Sequence, residues 1–440
     1  MKFKEYKLQD ICKVVDSLHK TPSYENKGVP MIRVTDLKDG YFSIPNEVKL
    51  VSQEVFSEFS KKHIPEFNDI LMSRVGSYGI TSIIKTREKF CLGQNTIVIT
   101  DFSEEVLSEY LFYYLISSYG KELIEKNVSG STQKTISLKS INNFNILLPE
   151  KSYQNEVINI LSSFYKKIEV NNKIIANLEE QAQAIFKSWF VDFELFQEGN
   201  FVESELGMIP EGWEVKNIKS LMEFETGSEP GAKNYSINKN MRIPFYRVGE
   251  MLSETNIFVK KNLLKDRVTS KEDVLVSFDG TVGRVVTGLV GGYSSGIKKI
   301  TSKVETISSN LIYVLFKSKL IQDIINQNAT GTTILHASKS IDYMYIPYND
   351  EIYSNFSLVI DPLINIIRVL KEENKKLAEI RDALLPKLMS GEIDVSNIKI
   401  KGEEVKNEWN LFRRGLWKNL YIIYWGLRLP LPPSPRTCKR

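Results

Sequence analysis

From Tyr153 to Glu194 the chain repeats at steps of three and four. Ile158, Leu161, Tyr165, Ile168, Ile175, Leu178, Ala182, Ile185 and Trp189 share one phase, and Asn172 falls in the same phase. That is the period of one helix face, sustained for roughly ten turns. Neither Gly nor Pro interrupts it, and the other face carries Lys166, Lys167, Lys173, Glu179, Glu180 and Lys187. At about 1.5 Å per residue such a helix runs about 55 Å, longer than a small domain is wide, so it needs a partner of similar length. A second stretch supplies one. Leu363, Leu370, Asn374, Leu377, Ile380 and Leu384 repeat the spacing of Leu161, Ile168, Asn172, Ile175, Leu178 and Ala182. Both put an Asn in the apolar seam, which costs stability but fixes register, because a slipped helix would bury the amide against carbon. Asp361 and Pro362 predict the start of the second helix, Pro386 its end or a kink, and Gly391 lies just beyond.

Each predicted helix follows a run of short strands and turns. Tyr6–Ile11 reads as a strand or helix start and Val29–Val34 as a strand, followed by a polar helical piece over Ser52–Lys62. Asp69–Ser73 and Ile80–Ile84 form a hairpin across Gly76-Ser77-Tyr78-Gly79. Asn95–Thr100 is a further strand, Leu107–Ser118 and Glu122–Lys126 are helical, and Phe144–Pro149 closes the run. Residues 212–348 repeat this order. Ile243–Val248 echoes Val29–Val34, and Asp273–Ser277 with Gly280–Gly283 echoes Asp69–Gly79. Asn328–Thr333 echoes Asn127–Thr132, and Ser338–Ile341 echoes Leu138–Ile141. A turn-rich connection, with Gly207-Met208-Ile209-Pro210-Glu211-Gly212-Trp213, joins the copies. The expected fold class is α+β: two similar mixed α/β domains separated by two long antiparallel, coiled-coil-like helices, an internal repeat about a pseudo-two-fold axis. The boundaries read as 1–150 for the first domain, 151–196 for the central helix and 197–350 for the second domain. The distal helix takes 351–395, and a tail of 396–440 lies outside the fold.

Composition narrows the class without naming a chemistry. At 440 residues, 42% hydrophobic and 25% charged, the chain is an ordinary globular protein of two or more domains. The net charge of +4 is local: residues 401–440 hold nine Lys/Arg against three Asp/Glu, which leaves the remainder at −2. Any basic surface must therefore come from clustering. Met1–Asp10 has no apolar core of a leader, and no uninterrupted apolar run of about 18 residues predicts a membrane span. Cys12, Cys91 and Cys438, like His19, His63 and His336, are too scattered for a disulfide framework or a metal site, which fits a reducing, cytoplasmic setting. No Gly-x-x-x-x-Gly-Lys-Ser/Thr, Gly-x-Ser-x-Gly, His-Glu-x-x-His or Cys-x-x-Cys string is present. The chain is thus expected not to be an enzyme by itself. Two like domains on two long helices suit a calliper, with arms separated by a distance comparable to one or two turns of B-DNA at ~34 Å each.

The helical signatures then become specific. Glu373-Asn374-Lys375-Lys376-Leu377-Ala378-Glu379-Ile380-Arg381-Asp382-Ala383-Leu384-Leu385-Pro386-Lys387-Leu388-Met389-Ser390-Gly391-Glu392-Ile393 resembles the distal helix signature of the specificity subunits of type I restriction-modification systems. The stretch Asn171–Phe193 resembles the central one, and Gly207–Trp213 matches the entry to the second domain. The resemblance covers about residues 3–400. It implies two target-recognition domains that each read part of a double-stranded DNA site, with the helices setting an unread spacer. It also implies two modification subunits that methylate adenine from S-adenosylmethionine, and two restriction subunits that use ATP and Mg for translocation and cleavage. No cofactor is implied in this chain. Two other readings remain open: the specificity part of a system whose modification and cleavage share one partner chain, and a tandem binding adaptor that never touches DNA.

No family motif carries base contacts onto particular positions. Loop residues able to reach base edges or phosphates are the candidates. These are Arg74, Ser77 and Tyr78 with Thr281 and Arg284, and Ser131, Thr132, Gln133 and Lys134 with Thr332, Thr333 and His336.

Overall fold

The computed structural model describes residues 2–393 and 395, apart from 131, 132, 254 and 333. The expected tail therefore lies outside the described residues. Among the described residues two compact units emerge, one built from residues up to 169 with 374–395, the other from 170–373.

In the first unit the predicted hairpin sits at the centre of a five-stranded sheet. Its order is Lys13–Asp16, Thr96–Thr100, Ile70–Ser73, Thr81–Ile84, Gly40–Phe42, and the last joins in parallel. The inner strands are buried on both faces because Ser108–Ile116 covers one side with Tyr110, Leu111, Phe112 and Tyr113. Val29–Ile32 belongs to a separate three-stranded sheet with Lys49–Val51 and Cys91–Leu92. The expected polar helix over Ser52–Lys62 is shorter, Gln53–Phe59, capped by Ser52 and anchored by buried Phe56 and Phe59.

The second unit uses the same plan. Its sheet runs Met222–Thr226, Ile297–Ser302, Val274–Ser277, Val285–Thr287, and Ile243–Tyr246 again pairs in parallel with a strand of a second sheet, Gly291–Tyr293. The Gly207–Trp213 connection holds a hairpin, Phe201–Ser204 against Gly207–Pro210, rather than turns alone.

The long helices span Lys151–Phe190 and Asp350–Ser390. The distal helix begins eleven residues before Asp361, with Asn349 capping it through Ile352 N at 3.2 Å. Asp361 does not cap; its carboxylate accepts from Ser308 Oγ at 2.7 Å. Pro362 and Pro386 lie inside the helix. An interior proline costs about 3 kcal/mol. Val359, Ile360, Leu363, Ile364 and Ile367 around Pro362 are all buried. At about 1.5–3 kcal/mol for each fully buried side chain, that packing outweighs the proline. The same helix contains an 18-residue window of mean hydropathy 1.2, long and apolar enough to cross a membrane by composition, of which 39% is buried inside the protein.

Within each unit the helix segments run in opposite directions. In the first, Tyr153 Oη donates to the carbonyls of Leu388 and Ile393 at 2.9 and 3.0 Å, and the Arg381 guanidinium lies 4.6 Å from the Tyr165 ring centroid. In the second, Asn171 Nδ2 donates to Glu373 at 2.7 Å, and Phe190 packs on Tyr353 with centroids 4.7 Å apart. Of the expected seam, Leu161, Ile175, Leu178, Ala182 and Leu363 are buried. Ile168, Leu370, Asn374, Leu377 and Leu384 are half-buried. Asn172 and Ile380 are not in it: both are exposed, and Asn171 and Arg381 take those places. The buried steps Asn171, Ile175, Leu178, Ala182 explain the shift, since Asn172 is turned about 100° from Asn171 on a helix of 3.6 residues per turn.

Glu179 ties the central helix to the recognition fold of the second unit. It accepts from Tyr313 Oη at 2.6 Å, Lys317 at 2.7 Å and Lys371 at 3.3 Å. Burial alone would push its carboxyl up, but Lys317 and Tyr313, with Lys371, outweigh burial and hold it below the ordinary range. Burial pushes Lys371 down despite the same carboxylate, so Lys317 is the firmer partner.

Candidate nucleic-acid interface

The candidate loops of the first unit are built around one serine. Ser73, last in its strand, accepts Ile80 N on its Oγ at 3.0 Å and donates to the Ser77 carbonyl at 2.5 Å, while Gly79 N reaches the Ser73 carbonyl at 2.8 Å. The hairpin of Val128–Ser129 and Thr135–Ile136 then docks onto this turn. Gly76 N donates to the Lys134 carbonyl at 3.1 Å, Ile136 N to the Arg74 carbonyl at 3.0 Å, and Val75 bridges Thr135. The two candidate loops therefore form one surface.

The second unit repeats these bonds. Ser277 accepts Arg284 N at 2.9 Å and donates to the Thr281 carbonyl at 2.6 Å; Gly283 N reaches Ser277 O at 2.9 Å, and Ala337 N reaches Phe278 O at 2.7 Å. Asp279–Gly280 pairs with Leu335–His336. Even the side-chain brace recurs, with Lys121 Nζ on Gly79 O at 2.8 Å and Gln322 Nε2 on Gly283 O at 3.0 Å.

Individual candidates fare differently. Ser77, Gln133, Thr281, Thr332 and His336 are exposed, and Lys134 is exposed beside half-buried Tyr78. Ser131, Thr132 and Thr333 lie outside the described residues. Lys134 donates to Tyr78 Oη and to Glu125, each at 3.1 Å, and Tyr78 Oη donates to Glu125 at 2.6 Å. Hydrogen bonds from Tyr78 and then Lys134 hold the Glu125 carboxyl low, and the bond to Tyr78 followed by that to Glu125 raises the Lys134 amine. His336 Nδ1 lies 2.8 Å from Asp279 Oδ1.

Neither arginine stands ready on the surface. Arg74 is buried, with Nη1 2.8 Å from Asp16 Oδ2 and side-chain exposures of 10% and 12%. Arg284 donates Nη1 to the Val248 carbonyl at 2.6 Å. Nor are they counterparts: by the shared bonds Arg74 corresponds to the core residue Phe278, and Arg284 to Ile80. Sequence reasoning passed over the tight turns after Val29–Ile32 and Ile243–Tyr246. Arg33 grips Asp36 through Nε and Nη2, each at 3.0 Å, and Arg247 grips Glu250 likewise. The signal was present as the repeated Arg-Val after each strand. Among the described residues no group of three His, Cys, Asp or Glu side chains is placed to hold a metal ion.

Residues 1–180 and 210–348, well over half of the chain, match the family model described as the type I restriction modification DNA specificity domain. The chain belongs to that family. Among relatives of this specificity chain is the type I restriction enzyme MjaIX specificity subunit of Methanocaldococcus jannaschii. It is 28% identical over 413 residues, covering 89% of this chain and 94% of that protein. The HindI specificity subunit of Haemophilus influenzae is 26% identical over 469 residues, covering 89% and 99%. The crystal structure of the S subunit of a type I restriction-modification system from M. genitalium aligns over 88% of this chain and 96% of that one, with 16% identity and a TM-score of 0.48. The specificity domain is matched twice, and the two matches hold the two turn-and-hairpin surfaces.

Proposed function

We propose that this specificity chain recognises a bipartite double-stranded DNA site, one part through each turn-and-hairpin surface. The observation that carries the reading is the recurrence of one bonding pattern, Ser73 with Gly79 and Ser277 with Gly283, under exposed polar side chains in both family matches. The recognition domains are assigned to 1–150 and 197–350, and the helices of 151–196 and 351–395 act as the spacer. On this reading the helices also carry two modification and two restriction subunits. Adenine methylation from S-adenosylmethionine and ATP- and Mg-dependent translocation belong to those partners, and this chain contributes the address without catalysis.

Ser77, Gln133, Thr281 and Thr332 are the first choices for base contact, because they are exposed on the paired loops. The test maps methylated adenines in cells that carry the chain with its modification partners. Ser77→Ala with Gln133→Ala should relax one half of the recognised sequence, and Thr281→Ala with Thr332→Ala the other. An unchanged motif in both doubles, or both halves altered by either one, would refute the reading.

A further inference from the structure

A second surface in the 170–373 unit lies beside its candidate loops and has no role so far. Between Pro230 and Gly249 the chain carries Lys233, Lys239, Arg242 and Arg247 and no carboxylate at all. Arg247 is occupied by Glu250. The other three have no carboxylate partner among the described residues: Lys239 lies 5.4 Å over the Phe258 ring, and Arg242 reaches only the Asn238 carbonyl at 3.4 Å. Lys233 and Lys239 are exposed.

The same segment leaves two large aliphatic side chains almost bare, Ile237 at 86% and Met241 at 98% exposure. Met241 also sits at φ 52°, a left-handed conformation that a residue other than Gly adopts at a cost. The segment is nonetheless anchored. Ser236 and Phe258 exchange backbone bonds of 3.1 and 2.8 Å, and Asn240 N donates to Asn238 Oδ1 at 2.9 Å. It is continuous with the candidate turn, because Arg284 donates to Val248 and the neighbouring Arg247 lies 6.0 Å from the Tyr235 ring. The matching stretch of the other unit, Tyr24-Glu25-Asn26-Lys27, is shorter and carries a carboxylate.

From this we infer that Lys233, Lys239 and Arg242 form a phosphate clamp on double-stranded DNA, with Ile237 and Met241 against the sugar edge between them. The inference rests on the DNA reading proposed above. Cations that meet phosphates position a duplex without reading it, so the clamp contributes affinity and salt dependence but no sequence preference.

The experiment compares the chain, assembled with its modification partner, against a K233A/K239A/R242A variant. Labelled duplexes carrying the mapped recognition sequence are titrated at graded NaCl, and preferred sequences are selected from a random-duplex pool. Three phosphate contacts contribute a salt slope of about 2.7, so between about 50 and 200 mM salt the parent should lose about 40-fold more affinity than the variant. The selected sequence should be identical, and a K233R/K239R/R242K variant should keep the parental slope. Equal slopes in parent and alanine variant would overturn the clamp, and so would a changed selected sequence, which would make the segment a base reader. A parent complex that retains no duplex at low salt would remove the DNA reading itself, and the clamp with it.

Discussion

Glu179→Gln is the most direct probe of how the central helix is tied to the second recognition fold. The substitution keeps the shape but removes the charge that two lysines and Tyr313 share. Hydrogen bonds to a charged group contribute about 1.5–3 kcal/mol each, and breaking a buried pair costs about 3–5 kcal/mol. The Glu179 side chain is 25% exposed and Gln retains one acceptor, so the lower part of that range applies. A loss of about 2 kcal/mol should speed exchange of the protected amides of Ser309–Lys317 by about 30-fold, since 1.4 kcal/mol is tenfold. Hydrogen exchange read by mass spectrometry on that peptide measures it locally. The pH dependence has a fixed sign. The folded-state carboxyl titrates below its ordinary value, so its contribution is complete above the ordinary carboxylate range and fades as pH falls through the folded-state value. Parent and variant should therefore converge as pH falls through that value. Exchange within threefold of the parent at pH 7, or a difference that persists undiminished in acid, would refute the anchor.

Three further outcomes follow from the geometry. Arg74→Leu leaves the Asp16 carboxylate with His19 Nε2 at 2.9 Å as its remaining partner and should cost about 2 kcal/mol in urea unfolding while the methylated motif stays the same; an altered motif at unchanged stability would restore Arg74 as a reader. Gly79→Ala should cost more than Gly283→Ala. Both residues have positive φ, a penalty of about 1–2 kcal/mol for Ala, but the new Cβ meets branched Ile124 Cγ2 at 2.7 Å in the first case and only the end of Gln322 at 2.5 Å in the second. The reverse order of unfolding midpoints would refute this. Burial pushes the Cys12 and Cys91 thiols up to about 12, so peptide mapping should find neither alkylated by iodoacetamide at pH 8 in the native protein and both in urea. Native labelling of either would show that its pocket opens.

What could be read from the chain divides by range. Both long helices and the doubled order of strands were legible because periodicity and turn residues are local signals. The face of the helix was harder. Steps of three and of four both continue an apolar stripe, so spacing alone does not decide between Asn171 and Asn172 or between Arg381 and Ile380. Pro362 misled because a local rule was overridden by packing from distant segments. Arg74 looked like a reader because its partner, Asp16, is 58 residues away and only the sheet brings them together. The Lys233–Arg242 segment went unremarked because net charge averages over the chain, and the missing carboxylates matter only where the fold exposes them.

The unit that contains the N-terminus has a consequence at the ribosome. Leu385, Leu388 and Met389 belong to the same hydrophobic cluster as Leu8, Ile11 and Tyr110. Most of that unit is synthesised before residue 170, yet its core stays open until Met389 has been made. The other unit, by contrast, has its described residues in one uninterrupted stretch, 170–373, and can close while the earlier one still waits. Birth order and completion order are reversed. A chain stopped at 373 would release a finished second half beside a first half with an uncovered apolar face, a natural target for holdase chaperones.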